Sequence, residues 1–407
     1  MHPSSSKRPF HLMAKPAGPA CNLSCLYCFY LSRWDGGAIR GMDDATLEHY
    51  VSEYIASHPG PEVPFAWQGG EPTLMGIDFF RRAIALQKRY LPPGWTATNS
   101  LQTNGVLLND AWCQFLTQEK FLVGISLDGP PKFHDRRRLD RGGNPTAERV
   151  LKSIELMRKH KVEYNILCVV GSHNAGNALQ VYRFLRSQGT QFLQFIPVVE
   201  RRHSAATHDF SGPNDCVDAL DAVSLTPEAW GKFLITVFNE WVTTDVGSVY
   251  IRDFDNWLGL WVGLPSTLCI HAVTCGDAMV IEADGSIYSC DHFVYPTHRL
   301  GRLGEHNLLD MISSSQQKDF GTSKRNALPT PCHTCKWRTY CNGGCPKQWI
   351  STTPESPKAP HLCGGWKIFF THAEPAFDRM AKLLEQKQAP AAIMSDRSLL
   401  RSLGLTP

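Results

Sequence analysis

Hydrophobic and polar positions in the first half of the chain follow two alternating patterns. Short runs rich in β-branched and aromatic residues predict strands, and apolar residues at helical spacing predict helices between them. The predicted strands cover residues 10–15, 63–67, 97–103, 122–127, 163–170 and 191–198. The predicted helices cover residues 44–58, 77–90, 146–160 and 178–188. This alternation predicts a parallel sheet, either an open doubly wound sheet or a partial barrel.

The pattern changes after about residue 200. A polar loop covers residues 200–225, and a helix with a threonine N-cap is predicted over 226–241. Residues 269–363 contain eight cysteines and few periodic segments, apart from a hairpin signal within 279–289. Such a segment needs a metal or a covalent staple. A last helix is predicted over 375–386, followed by a ragged tail.

Charge and hydropathy limit the classes of partner. The 407 residues include 41 Lys and Arg against 38 Asp and Glu, a formal net charge of +3, with no long basic block. This balance gives no sign of nucleic acid or of an anionic membrane as the main partner. No apolar run reaches the roughly 18 to 20 residues that span a bilayer, and no signal segment is evident. We therefore expect a cytoplasmic protein, in which clustered cysteines bind metal or perform redox chemistry.

Three cysteines, Cys21, Cys25 and Cys28, lie directly after the first predicted strand. In a parallel sheet this position is at the carboxyl end of the strand, where ligands bind. A closed zinc site or a closed four-iron cluster uses four ligands, so three cysteines leave one iron open to another ligand. The alternatives are a zinc site completed by a distant histidine and three ordinary core cysteines.

The C-x3-C-x2-C spacing, with Tyr27 and Phe29 around Cys28, resembles the motif of the radical S-adenosylmethionine (SAM) superfamily. The resemblance implies that SAM binds the open iron of a 4Fe–4S cluster and that reduction releases a 5'-deoxyadenosyl radical. It also implies SAM contacts from residues at or near the ends of strands: Tyr27, Gly70, Glu71, Ser126, Arg138 and Val199. Arg138 is the last of three adjacent arginines, and a solvated basic turn is the alternative reading of that segment.

The downstream cysteines are spaced C-x5-C-x14-C and C-x2-C-x5-C-x3-C, followed by one further cysteine. Taken alone, this array suits zinc and iron–sulfur clusters equally, but the amino-terminal triad favours redox centres. The array resembles the SPASM extension of peptide-modifying radical SAM enzymes. That resemblance implies two auxiliary 4Fe–4S clusters, one held by Cys269, Cys275, Cys290 and Cys345 and the other by Cys332, Cys335, Cys341 and Cys363. Three cysteines have no cluster role, namely Cys113 and Cys216 as free thiols and Cys168 in a strand core.

Several segments together resemble the anaerobic sulfatase-maturating enzymes, namely 13–30, 67–73, 102–105, 164–170, 192–196 and 290–295. The resemblance implies oxidation of one Cys or Ser, in a C/S-x-P-x-R type motif of an unfolded or nascent sulfatase polypeptide, to Cα-formylglycine without oxygen. It implies that Asp291 takes the substrate thiol or hydroxyl proton, the alternative being a turn aspartate that caps backbone amides. A flavodoxin or ferredoxin would exchange electrons with the enzyme. The auxiliary clusters would either carry electrons or only shape the peptide pocket.

The predicted organisation is a partial (βα)6 barrel of the radical SAM type at 1–225, a helical connector at 226–265, a SPASM domain at 266–370 and a C-terminal helix and tail at 371–407. We expect a monomeric radical SAM oxidoreductase with three 4Fe–4S clusters and SAM, acting on neither nucleic acid nor membrane. The rival function is a SPASM maturase that forms crosslinks in a small ribosomally made peptide. A zinc-stapled binding scaffold without catalysis is the remaining alternative.

Overall fold

The computed structural model describes residues 9–34, 36–201, 220–351 and 358–405. The strands are β1 His11–Ala14, β2 Glu62–Trp67, β3 Thr96–Thr103, β4 Leu122–Ser126, β5 Glu163–Val170, β6 Phe192–Pro197, β7 Tyr250–Ile251, β8 Ala278–Ile281, β9 Ser286–Tyr288, β10 Arg299–Arg302, β11 Trp349–Ile350 and β12 Ala359–Pro360. The α-helices are α1 Asp44–Ser57, α2 Gly76–Tyr90, α3 Asp110–Gln118, α4 Pro131–His134, α5 Ala147–Lys159, α6 Ala178–Arg186, α7 Pro227–Thr244, α8 Arg252–Trp261, α9 Leu308–Ser313, α10 Ser315–Asn326, α11 Thr330–His333, α12 Arg338–Cys341, α13 Cys363–Glu385 and α14 Arg397–Ser402. Short 3-10 helices cover Leu31–Arg33, Pro72–Met75, Ala175–Asn177, Asp291–Phe293, Pro296–His298, Pro346–Gln348 and Pro390–Ser395.

The central sheet decides between the two architectures that the periodicity left open. β1 to β6 lie side by side in chain order, and each neighbouring pair is parallel. A doubly wound sheet reverses its strand order at a switch point, whereas a barrel winds in one direction. The outermost strands of this sheet, β10 and β7, do not pair with each other, so the barrel is open. The predicted partial (βα)6 barrel is therefore confirmed, and all six predicted strands and four predicted helices are present.

The predicted hairpin after the barrel is also present, and it attaches to the barrel directly. β8 pairs parallel with β1, so that Leu12 lies opposite Met279 and Ala14 opposite Ile281. β9 returns antiparallel to β8, and β10 follows antiparallel to β9. The strand that leads into the first cysteine cluster thus lies beside the hairpin that leads into Cys290.

Two long helices, α7 and α13, pack against each other and join the C-terminal segment to the barrel. Their backbones come so close that a Cβ added at Gly365 would lie 2.2 Å from the carbonyl oxygen of Pro227. Thr226 caps α7 by accepting a hydrogen bond from the amide of Ala229, as its sequence predicted. Glycine is therefore required at position 365 by the close packing of the two helices and not by a turn.

The prediction of the last helix was wrong in its start. Proline was taken as the first helical position, at Pro375, but α13 begins at Cys363 and continues through that proline. Aromatic residues on both sides of it are buried, including Trp366, Phe369 and Phe377. Their burial outweighs the loss of one backbone hydrogen bond at the proline. The tail is not ragged either, because α14 buries Leu400 completely.

Within the described residues, no helix combines the length and the apolar character that crossing a membrane requires.

Candidate active site

The loop after β1 brings the three cysteines of the first cluster to the carboxyl edge of the sheet. Cys21 and Cys25 are half-buried, and Cys28 is exposed. The Cys21 sulfur accepts from the amide of Leu23 at 3.4 Å and lies 3.7 Å from Nδ2 of Asn104. Burial, then the charge of Glu71 and the other two thiols, raise the pKa of Cys21 to about 12. Thiols with a raised pKa, such as Cys21 and Cys25, become thiolates when bound iron displaces their protons.

Glu71 connects the loops after β2 and β3. Its carboxylate is fully buried and accepts from the amide and hydroxyl of Thr73 at 3.0 and 2.7 Å. It also accepts from the Thr103 hydroxyl and the Asn104 amide, each at 2.7 Å. Burial raises the pKa of Glu71, and these hydrogen bonds act against the rise. The carboxylate thus fixes the loop that reaches Cys21; its contact with SAM stays a prediction.

Gly70 lies where two backbones touch. Its amide donates to Gly18, and a Cβ added at this position would lie 2.1 Å from the carbonyl oxygen of Ala20. No other residue type fits beside the loop that leads into Cys21. This close approach explains the glycine without any appeal to a turn.

We predict that Gly70→Ala loses iron from the first cluster and loses SAM cleavage. The added methyl group meets backbone, which cannot rotate away, and such overpacking costs about 1–3 kcal/mol. Iron content and 5'-deoxyadenosine release measure the effect. Gly176→Ala is the matched control, because an added Cβ there meets no atom within 4 Å. Native iron content and turnover in Gly70→Ala would contradict the prediction.

Asp128, after β4, links two of the predicted SAM contacts. The Tyr27 hydroxyl donates to its carboxylate, and Arg138 Nε does so at 3.1 Å. Arg138 Nη1 is also 3.9 Å from the Cys25 sulfur. Burial alone would raise the pKa of Asp128, but the charges of Arg138 and His134 and the tyrosine hydrogen bond hold it below its usual value. Asp128 was not among the predicted site residues.

The structure distinguishes the three adjacent arginines from one another. Arg138 is buried, Arg137 is half-buried and Arg136 is exposed. Only Arg138 reaches both Asp128 and Cys25, so the solvated-turn alternative does not describe it.

Two further predicted contacts lie at neighbouring strand ends. Ser126 is the last residue of β4, and its hydroxyl accepts from Gln102 at 3.1 Å. Val199 follows β6 and is buried. Both are at the carboxyl edge that carries the cysteine loop, and their contacts with SAM stay predictions.

Asp291 forms an ion pair across the boundary between the barrel and the cysteine-rich segment. Its carboxylate lies 2.5 Å from Nζ of Lys15, a lysine that is only 1% exposed and follows β1. Glu282 lies 3.9 Å from the same Nζ, which is also 3.6 Å from the centre of the Tyr30 ring. The Tyr30 hydroxyl donates to Glu282. The side chain of Asp291 contacts this lysine and not the amides of its own turn, so the capping alternative gains no support.

The charge state of Asp291 follows from these contacts. Burial by itself raises the pKa of this carboxyl group, but the charges of Lys15 and His292 hold it below the usual value. An ionised carboxylate can accept a proton. Lys15, Tyr30 and Glu282 were not among the predicted site residues. Lys15 and Tyr30 flank the cysteine motif, but nothing in the sequence indicates that they contact Glu282 and Asp291.

Aromatic contacts also join the two cysteine-bearing segments. The ring of Phe29, next to Cys28, meets the His292 ring edge-on at a centroid distance of 5.3 Å. Nζ of Lys347 lies 4.3 Å from the centre of the Phe29 ring. His292 Nδ1 is 3.6 Å from the Cys345 sulfur.

The downstream cysteines lie in two sets, and their assignment as ligands of two clusters stays a prediction. In the first set the charge of Cys345 acts on both Cys275 and Cys290, and the charge of Cys269 acts on all three. The second set lines one cavity together with Trp337 and Trp366; its members are Cys332, Cys335, Cys341 and Cys363. Burial raises the pKa of Cys275 to about 12 and of Cys345 to about 11.

The four thiols of the second set face one cavity. Four thiols around a cavity suit a four-iron cluster. Cys113 and Cys168 are buried away from these sets, in α3 and β5. Cys216 lies outside the described residues.

Comparison with known proteins agrees with this geometry. A model of the radical SAM superfamily matches residues 16–185, and one of an iron-sulfur cluster-binding domain, SPASM, matches residues 273–336. The serine-type anaerobic sulfatase-maturating enzyme of Bacteroides thetaiotaomicron is 42% identical over 95% of both chains. This chain belongs to the anaerobic sulfatase-maturating enzymes. The cysteine-type member from Clostridium perfringens is 35% identical over 92% of this chain and 98% of its own.

The fold of this anaerobic sulfatase-maturating enzyme also matches a solved family member. The structure described as native anSMEcpe with bound AdoMet and Cp18Cys peptide has a TM-score of 0.82 and 34% identity, covering 92% of this chain and 99% of that one. The maturating enzyme is therefore a radical SAM enzyme that uses SAM and iron–sulfur clusters.

Proposed function

We propose that the enzyme oxidises one Cys or Ser in a C/S-x-P-x-R type motif of an unfolded sulfatase polypeptide to Cα-formylglycine, using three 4Fe–4S clusters. The observation that carries this proposal is the ion pair between buried Lys15 and half-buried Asp291. Lys15 leads into the SAM-cluster cysteines, and Asp291 follows an auxiliary-cluster cysteine. A carboxylate therefore lies where the two cysteine-bearing segments meet, and we assign it as the base.

The first cluster would be held by Cys21, Cys25 and Cys28, and the bound SAM would supply the radical that removes a hydrogen atom from the substrate Cβ. The chain itself positions these groups. Glu71 fixes the loop after β2 against the loop after β3, whose Asn104 reaches Cys21, and Asp128 orients Arg138 toward Cys25. Tyr27, Gly70, Ser126 and Val199 would complete the SAM contacts from neighbouring strand ends.

Asp291 would take the proton from the substrate thiol or hydroxyl. The side chain is half-buried, with the Oδ1 that pairs with Lys15 inaccessible to solvent, which limits the competition of water for the proton. Lys15 keeps the carboxylate ionised before the transfer and remains beside it afterwards. The electron released at the substrate would leave through the auxiliary clusters toward a flavodoxin or ferredoxin.

Both substrate types have relatives among the similar proteins. Identity is 42% to the serine-type enzyme from Bacteroides and 35% to the cysteine-type enzyme from Clostridium. We expect this enzyme to convert a Ser peptide and propose that a Cys peptide is also a substrate.

Mass spectrometry of matched peptides tests the reaction. Peptides that carry Ser, Cys or Ala at the target position are incubated anaerobically with reconstituted enzyme, SAM and reductant. The Ser peptide should lose two hydrogens. The Cys peptide should lose two hydrogens and also exchange its sulfur for the oxygen of water, with release of hydrogen sulfide. Both products should react with a hydrazine that traps aldehydes. A peptide that loses hydrogens without becoming hydrazine-reactive would instead support the crosslinking alternative. No change in either peptide would contradict the proposal.

A further inference from the structure

A lysine is buried beside the first auxiliary set of cysteines. Lys324, on α10, is 1% exposed although its helix is mostly polar. Its Nζ donates to three backbone carbonyls, those of Cys269, Ile270 and Ala272, at 3.0, 2.9 and 2.7 Å. In the described part of the chain, no carboxylate forms an ion pair with it. These three bonds use all the donors of the ammonium group and fix its position.

The carbonyls belong to the loop between Cys269 and Cys275. The same helix holds that loop a second time, because the Cys275 amide donates to the Gly321 carbonyl at 2.9 Å. Burial lowers the pKa of Lys324, and the nearby thiols, led by Cys275 and Cys345, act in the opposite direction. The sulfurs that act on this lysine most strongly, those of Cys275, Cys345 and Cys269, belong to the first set, and Cys341 of the second set acts less.

A buried ammonium group needs a counter-charge, because removing it from water is costly. Carbonyl dipoles supply part of that compensation, and thiolates bound to an iron–sulfur cluster would supply the rest. The lysine charge in turn acts on the cluster. A fixed positive charge stabilises whichever state of the cluster carries more negative charge, which is the reduced state.

We propose that Lys324 raises the reduction potential of the auxiliary cluster held by Cys269, Cys275, Cys290 and Cys345, so that this cluster accepts the electron lost by the substrate. The inference rests on the proposed function. After hydrogen abstraction the substrate gives up one electron and one proton as the carbon–sulfur or carbon–oxygen double bond forms. The proton would go to Asp291, and the cluster would be reduced by one electron. The external flavodoxin or ferredoxin would then reoxidise the cluster. Lys324 acts through the cluster and does not touch the substrate.

Charge and hydrogen bonding are separated by two substitutions. Lys324→Gln retains an amide donor for the carbonyls but removes the charge, and Lys324→Arg retains both. Lys318→Gln makes the same charge change at an exposed position on the same helix. Each variant is reconstituted as the full chain, its iron is counted, and the potentials of its clusters are measured by redox titration with electron paramagnetic resonance, without substrate.

Lys324→Gln should lower one cluster potential and leave the others unchanged, whereas Lys324→Arg and Lys318→Gln should retain the native values. Native potentials in Lys324→Gln with full iron content would overturn the proposal. The lysine would then serve only to hold the loop between Cys269 and Cys275 in place. Should Lys324→Gln lose iron, Lys324→Met is titrated in its place. Loss of the same cluster in both neutral variants, but not in Lys324→Arg, would also overturn the proposal, because the charge would then serve assembly.

This experiment is independent of turnover. A native protein without iron in the auxiliary sites would contradict the proposed function itself. A native protein with all its clusters but no shift in Lys324→Gln would contradict only the role of the lysine.

Discussion

Replacing Asp291 with asparagine is expected to lower formylglycine formation by about 10²- to 10⁴-fold, the usual contribution of a positioned general base. Asparagine has the same shape and can still accept from Lys15, but its amide cannot take up the substrate proton. The cysteines and the predicted SAM contacts are unchanged. Iron content and 5'-deoxyadenosine release should therefore remain near native, so that SAM cleavage becomes uncoupled from product. Both products are quantified in the same anaerobic reaction.

Asp284→Asn is the matched control for this variant. Asp284 lies at the exposed turn of the β8–β9 hairpin, where it accepts from the Ser286 amide at 2.9 Å. Asparagine suits such a turn, so this variant should keep native activity. Native formylglycine formation in Asp291→Asn would show that another group takes the proton.

The barrel was predictable because its strands are short, apolar and separated by amphipathic helices. Helix α3 was missed because its buried residues, Trp112, Cys113, Phe115 and Leu116, form a dense apolar group within only nine residues. The parallel pairing of β8 with β1 could not be predicted from the sequence either, because no local pattern identifies a partner strand so distant along the chain. Tertiary packing likewise decides that α13 runs through Pro375.

Some residues of the candidate site could likewise be predicted from the sequence, and others could not. Spacing marked the cysteines as candidate metal ligands, because ligands on one loop have a local pattern, and the family resemblance implied their division into sets. Lys15, Glu282 and Asp128 have no such pattern, and each gains its role only when distant segments meet. The ion pair of Lys15 with Asp291 depends on the pairing of β1 with β8, which no periodicity encodes.

Replacing Cys25 with alanine is expected to abolish reductive SAM cleavage. A four-iron cluster with two remaining protein ligands is not retained, so the variant should lose about a third of its iron. The auxiliary sets do not include Cys25, and their iron should stay. Formylglycine and 5'-deoxyadenosine should both fall below detection, in contrast to the uncoupled cleavage expected of Asp291→Asn. Iron analysis and chromatography of the SAM products measure the two effects.

Cys113→Ala separates loss of a ligand from loss of a buried thiol. Cys113 is fully buried in α3 and lies outside all three cysteine sets, so its replacement should reduce stability without removing iron. If 5'-deoxyadenosine still forms in Cys25→Ala, the cluster that cleaves SAM is not held by the loop after β1. If Cys113→Ala also loses iron, the loss in Cys25→Ala reports on folding and not on ligation. An open iron at this edge of the barrel requires two results together. Cys25→Ala must lose iron and SAM cleavage, and Cys113→Ala must retain its iron.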